Sequence, residues 1–211
     1  MSRKALQFRT AAAVLLMSVL TACPAPNEAQ RAGHPNLIIV REFSFSTGAV
    51  TLDPSFGFSL HRGQSGVPLR ERAASVARAA AFNVADTIAQ RLAGVGYDVV
   101  RSDTAAAEPT GRALIVSGRF RNINEGHRRR VGAENASLAV EVDIEQQNGA
   151  STPQRLTSFP VDSRRIGSGG LTAVSAPRGA NLSSAAARVG GAIANTVAET
   201  ARLNNWPATP H

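Results

Sequence analysis

The segment Ser137 to Gln147, SLAVEVDIEQQ, shows the strictest alternation of apolar and charged residues in this chain. Its even-numbered positions from 138 to 144 are apolar, whereas Glu141, Asp143 and Glu145 occupy the odd positions. A strand places successive side chains on opposite faces, so this pattern predicts one apolar face and one face in water. A sheet with one wet face is typical of antiparallel pairing, and its apolar face requires a second layer to cover it.

Two segments with helical periodicity can supply that layer. The first runs from Leu69 to Val95, and Gly94 and Gly96 are placed to end it. The second begins with Ser183 as its N-cap and continues to about Asn204. The predicted buried stripes consist of Ala77, Ala81, Val84, Ile88, Leu92 and Val95 in the first helix, and of Val189, Ile193, Val197 and Ala201 in the second. Gly190 and Gly191 predict a close approach of the second helix to a neighbour.

Four further segments read as strands. They are Leu37 to Phe45, Tyr97 to Arg101, Ala113 to Asn122 and Arg155 to Ser163. The first is expected to be buried on both sides at its start, with Phe43 and Phe45 on the face of Leu37 and Ile39. In the last, Pro160 cannot donate a ladder hydrogen bond, which places it at an edge or a bulge.

The order of these elements predicts an α+β fold, with two long helices packed on one face of a mixed, mostly antiparallel sheet. If the strands around residues 113–122 and 137–147 form a hairpin, Phe120 and Val142 share the inner face. One register then places Arg119 opposite Asp143 and Arg121 opposite Glu141. Both arginines are expected on the face away from the helices.

The first 22 residues have the composition of an export signal. Arg3, Lys4 and Arg9 precede a short apolar run that ends at Ala22, and this run is too short to span a membrane unaided. Residues 20–23, Leu-Thr-Ala-Cys, resemble the bacterial lipobox, in which the cysteine receives a diacylglycerol. We therefore expect a signal peptide over 1–22 and lipidation at Cys23. Two or three acyl chains would anchor the protein stably in a membrane. Pro24, the residue after the cysteine, favours the outer membrane over the inner one.

The domain boundaries follow from the composition after Cys23. Residues 23–35 are rich in proline and poor in large apolar side chains, so they are expected to form a flexible tether. A single domain is expected over 36–207, with Trp206 closing it and 208–211 as a tail. Cys23 is the only cysteine, so its lipidation leaves no thiol for a disulfide, a nucleophile or a metal site.

The charge balance gives little support to nucleic acid as a partner. The formal net charge is +8, but Lys4 is the only lysine, and nucleic-acid binders usually mix lysine with arginine. Export argues further against that partner. A basic protein of the cell envelope is instead suited to anionic surfaces there.

No group of residues has the spacing of a catalytic or metal site. His34, His61, His127 and His211 lie in separate loops or tails. Asp53 and Asp98 are placed at turns, where turn and capping roles are the common ones. We therefore expect no enzymatic activity, no cofactor and no metal.

Two loops carry the candidate contact surfaces. Arg128, Arg129 and Arg130 lie in the loop between the two clearest strands. Guanidinium groups bind phosphate or carboxylate groups, although three arginines in a loop also fit a solvated surface with structural ion pairs. Phe56 and Phe58 lie in a loop rich in Gly, Ser and Pro, where they form an apolar segment with Leu60.

Several strings together are similar to bacterial lipoproteins of domain-of-unknown-function family 4410. They include LDPSFGFSLHRG from residue 52, ALIVSGRFRNINEGHRRRVG from residue 113 and VAETARLNNWP from residue 197. Many members carry a Gly-Phe-Gly-rich stretch after this arginine cluster, where this chain has AENAS over 133–137. The family has no established activity, so the resemblance implies a lipoprotein and no catalytic residue.

We expect a non-enzymatic binding or assembly module held on the envelope by Cys23, with a protein partner or itself as the contact. Two alternatives stay open. A glycan or peptide hydrolase would require carboxylates such as Asp53 and Asp98 to meet in one cleft. A homo-oligomeric secretion component would require strands of about 9–11 residues to enter the membrane, and only the loop over 46–66 could hold them.

Overall fold

The computed structural model describes residues 36–53, 67–102, 111–127, 135–166 and 181–208. They form one domain, in which two helices cover one face of an open, mixed sheet of six strands. The predicted α+β class is therefore confirmed. The strands are β1 (Leu37–Arg41), β2 (Val50–Thr51), β3 (Val99–Ser102), β4 (Arg112–Asn124), β5 (Ser137–Asn148) and β6 (Gln154–Asp162); the helices are α1 (Leu69–Gly94) and α2 (Leu182–Leu203).

The sheet combines short parallel ladders with long antiparallel ones. Its strand order is β3-β1-β4-β5-β6, and β2 lies beside the far end of β4. β1 is parallel to both β3 and β4, and β2 is also parallel to β4. β4, β5 and β6 form an antiparallel meander whose ladders are the longest in the sheet. β6 is an edge strand in the described sheet, as the presence of Pro160 predicts.

The main core lies between the helices and one face of the sheet, which we call the helix face. It contains the predicted stripes of both helices except Val95, which is exposed because α1 ends at Gly94. The N-cap of α2 is Asn181 rather than Ser183, since the Asn181 side chain accepts a hydrogen bond from the Ser184 N–H at 2.9 Å. Trp206 closes the domain by donating from Nε1 to the Asn36 carbonyl at 2.8 Å.

The first strand is buried on both faces, as predicted, but its aromatic residues lie on the face opposite to the predicted one. Leu37 and Ile39 belong to a small apolar cluster on the outer face, the face away from the helices. Phe43 packs in the main core with Ile38 and Val40. β1 ends at Arg41, so strict alternation does not continue to Phe43.

The β4–β5 hairpin has a different register from the predicted one. Arg119 lies opposite Glu141, not opposite Asp143, because the strands pair two positions away from the expected register. A bulge follows between Phe120 and Asn122, so Arg121 is an extra residue in β4. Arg121 still meets Glu141, the residue it was predicted to face, and forms an ion pair with it. Both arginines are exposed on the outer face, as expected.

Candidate functional site

The predicted site residues all fall outside the described part of the chain. These are the lipidation site Cys23, the aromatic residues Phe56 and Phe58, and the loop residues Arg128, Arg129 and Arg130. The structure does describe the residues at which two of these segments begin. Asp53 directly precedes the segment 54–66, and His127 directly precedes the segment 128–134.

Those two residues belong to one polar group, which we call the root cluster: Asp53, Arg72, Glu125 and His127. Glu125 is its centre. One of its carboxylate oxygens, Oε2, accepts a hydrogen bond from the backbone N–H of Asp53 at 2.9 Å and another from Arg72 Nη2 at 2.6 Å. Arg72 stands in the first turns of α1, and the backbone N–H of Glu125 donates to Thr51 in β2 at 2.9 Å. Glu125 thereby joins the end of β2, the end of β4 and the start of α1.

The starting points of the two segments are in close proximity. His127 Nδ1 lies 3.5 Å from Asp53 Oδ1. This contact is an ion pair only when the imidazole is protonated. Asp53 is buried, with 5% of its surface exposed, whereas the His127 side chain is one-third exposed. Between Glu125 and His127 the chain turns at Gly126, whose φ of 78° favours glycine. Its N–H donates to the Asn124 side chain at 2.8 Å.

The root cluster is suited to holding backbone in position. The side chains of Arg72 and Glu125 are only 18% and 26% exposed, so solvent screens this ion pair less than the exposed pairs of this protein. Within the described residues, no three histidine, cysteine, aspartate or glutamate side chains are grouped closely enough to hold a metal ion. The geometry therefore fixes the relative position of the residues at which the segments 54–66 and 128–134 begin.

The carboxylates required by the hydrolase alternative do not meet. The Asp98 carbonyl accepts from the Ile38 N–H at the start of β1, and β1 pairs with the start of β4. Asp53 follows β2, which pairs with the end of β4. At about 3.3 Å per residue along β4, the two aspartates are roughly 30 Å apart. Of the four histidines only His127 lies among the described residues.

Sequence reasoning missed the joining role of Arg72 and Glu125. In the sequence, Arg72 is one of several polar residues off the apolar stripe of its helix, and Glu125 belongs to one of the strings that resemble the lipoprotein family. The two are 53 positions apart, and no local pattern relates them. Over the part of the chain that the structure describes, neither helix combines the length and the apolar character needed to cross a membrane.

Comparison with known proteins gives only distant likenesses. No family model matches the chain, and no curated protein matches it. One similar solved structure is a protein of Helicobacter pylori described as a homologue of the neuraminyllactose-binding hemagglutinin; it has 10% identity and a TM-score of 0.35 over 81% of this chain and 89% of its own. Another is the hypothetical protein CT253 of Chlamydia trachomatis, with 8% identity and a TM-score of 0.31 over 82% and 98%. Both TM-scores are too low for either likeness to bear on the function of this chain.

Proposed function

We propose that this protein is a non-enzymatic binding module of the bacterial envelope, tethered by lipid at Cys23 and facing the periplasm. The segments 54–66 and 128–134 are proposed to form one contact surface for a protein partner. The observation that carries this proposal is the 3.5 Å distance between the side chains of Asp53 and His127, from which the two segments start. Segments that start side by side can act together on one partner.

The composition of the two segments supports a protein partner. One contributes Phe56 and Phe58, and the other contributes Arg128, Arg129 and Arg130. Aromatic residues and arginine are the residue types enriched at protein interfaces and at their energetic hot spots. Where the first segment returns to the described domain, Val67 and Leu69 are 66% and 73% exposed, which adds apolar surface beside α1.

Crosslinking in cells tests the proposal. The tagged, lipidated protein is crosslinked, and the recovered proteins are identified and quantified by mass spectrometry. We expect one envelope protein near a one-to-one ratio, and loss of that protein when Arg128, Arg129 and Arg130 are replaced by alanine. A matched control replaces three exposed arginines elsewhere, Arg78, Arg164 and Arg202, and should leave capture unchanged.

Each other outcome contradicts a stated part of the proposal. Recovery of this chain alone would support a homo-oligomeric assembly instead. Unchanged capture by the triple variant would remove the segment 128–134 from the contact surface. A Cys23→Ala variant that still carries lipid in the membrane fraction would disprove the anchor.

A further inference from the structure

The outer face of the sheet holds a groove that the proposed contact surface does not include. It has a volume of about 460 Å³ and runs across the strands, from Ser44 beyond β1, over β4 and β5, to Ser158 in β6. Three inter-strand spacings of about 4.8 Å make it roughly 14 Å long. We call it the outer-face groove.

The bulge in β4 leaves one cation of this groove without a partner. Arg119 lies directly opposite Glu141, but Glu141 binds the guanidinium of Arg121, which the bulge places on the same face. Asp143, the other lining carboxylate of β5, is paired with Arg155 at 3.3 Å. Arg119 is exposed and makes no ion pair or side-chain hydrogen bond to any residue of the described chain. The N–H donors of the Arg119 guanidinium are therefore available to a ligand.

The rest of the lining, which also includes Arg41 and Glu42 at the end of β1, contains hydroxyl and carboxylate groups that are suited to hydroxyl-rich ligands. Ser117 and Ser158 contribute hydroxyl groups that can each donate and accept, whereas the Ser44 hydroxyl donates to the Gly118 carbonyl at 3.2 Å and is left as an acceptor. The carboxylates of Glu141 and Asp143 keep acceptor capacity beyond their single arginine partners. The described residues that line the groove include no aromatic and no aliphatic side chain, so an apolar ligand finds nothing to pack against.

The same groove is poorly suited to a peptide. β4 and β5 are paired on both of their sides over this stretch, so their backbone N–H and C=O groups are used in the sheet. A bound peptide would find neither a free strand edge to pair with nor a pocket for an apolar side chain. Recognition must come from the guanidinium, hydroxyl and carboxylate groups of side chains.

We propose that the outer-face groove binds an acidic saccharide, with Arg119 holding the carboxylate of one sugar. The serine hydroxyl groups and the lining carboxylates of β5 bind the sugar hydroxyl groups. This function is separate from partner capture, and its test requires neither the lipid nor the segments 54–66 and 128–134.

Calorimetric titration of the purified full-length protein tests the proposal, with trigalacturonate as the acidic probe and galactotriose as its neutral match. We expect trigalacturonate to bind at least tenfold more tightly. Arg119→Gln should weaken that binding by about 10- to 100-fold, the range for a lost hydrogen bond to a charged group. Arg202→Gln removes the same charge on α2, where Arg202 pairs with Glu199, and should change nothing.

A second pair of variants tests the pairing itself. Arg121→Gln frees Glu141 to bind Arg119 across the ladder, so trigalacturonate binding should fall although Arg121 does not line the groove. Adding Glu141→Gln to that variant removes the competitor for Arg119 but also one acceptor for the sugar hydroxyl groups, so binding should recover in part, to a level between that of Arg121→Gln and that of the wild type. Wild-type affinity in the single variant would contradict the role of the bulge.

Three results would overturn the proposal as a whole. They are equal affinity for the neutral trisaccharide, unchanged affinity in Arg119→Gln, and tighter binding of triglutamate than of trigalacturonate. A fourth result would overturn it as well: if sulfate displaces the acidic saccharide at equal concentration, the groove is a simple anion site.

Discussion

The two faces of the β4–β5 hairpin differ in how well they should tolerate substitutions. On the helix face, Phe120 and Val142 are at most 2% exposed, and a Cβ on Gly118 would lie 2.5 Å from a ring carbon of Phe43. On the outer face, Arg119 and Arg121 are exposed, and Glu141 pairs with Arg121 in the bulge instead of with Arg119 directly opposite. Around the bulge, the helix face is therefore closed by packing, whereas the outer face carries a weak, exposed ion pair.

This difference separates stability from recognition. A packed core resists changes in volume at every position, because neighbouring atoms cannot move far. Exposed ion pairs each contribute at most about 1 kcal/mol, so the charges of the outer face can vary with little effect on folding. The face that can vary carries the outer-face groove.

The largest contrast is expected between two neighbouring residues of β4. Phe120→Ala should lower the free energy of unfolding by about 3–5 kcal/mol, because it leaves a cavity beside Phe43. Arg119→Ala, one position earlier on the outer face, should change it by no more than about 0.5 kcal/mol. Urea unfolding of both variants measures the difference, and similar losses would contradict the contrast between the faces.

A second contrast compares two glycines within the helix layer. A Cβ on Gly190 would lie 2.7 Å from the Thr87 Cβ and 2.9 Å from the Val84 carbonyl oxygen, so Gly190→Ala should cost about 1–3 kcal/mol. Gly94 has nothing within 4 Å of the same position. Gly94→Ala should therefore be neutral or stabilising by up to about 1 kcal/mol. Thermal unfolding should show a lower Tm for Gly190→Ala and an unchanged or higher Tm for Gly94→Ala. An equal loss of stability in both variants would contradict the role of the close helix contact at Gly190.

Loss of an ion pair on the outer face should have only a small effect on the stability of the protein. Arg121→Ala removes the partner of Glu141 and should lower stability by less than about 1 kcal/mol, with the effect smaller in high salt. Urea unfolding at low and high ionic strength tests this. A loss of several kcal/mol that salt does not reduce would mean that the bulge itself depends on the pair.

The smallest effect is expected at the end of β6. Burial opposes ionisation of Asp162, but hydrogen bonds from the backbone and guanidinium of Arg164, with the charge of Arg165, outweigh it and lower the pKa of Asp162. A carboxyl group with a lowered pKa stabilises the fold at pH values above its ordinary pKa. This contribution disappears as the pH falls through the lowered pKa.

Asp162→Asn should therefore reduce stability at neutral pH by less than about 1 kcal/mol and make no difference in strong acid. Unfolding curves at several acidic pH values measure this, with Arg164→Gln as a variant that should follow the same course. A loss of stability in Asp162→Asn that grows as the pH is lowered would contradict the lowered pKa of Asp162.

Local sequence pattern was enough to predict both helices, the wet face of β5 and the edge position of Pro160. Each of these depends on the spacing of residues in one segment, since periodicity records which side of an element is buried. The close approach at Gly190 was likewise predicted from glycine alone, because a glycine within a helix stripe allows another backbone to come near.

The tertiary structure alone decided the features that join distant segments. β1 lies between β3 and β4 in parallel, Phe43 reaches the helix face after β1 ends, and the bulge at Arg121 sets which carboxylate each arginine meets. The root cluster joins Asp53, Arg72 and Glu125, far apart in the chain. Such contacts depend on how whole elements dock and on the register of a hairpin. One extra residue is enough to change that register, and no repeating pattern in a single segment records it.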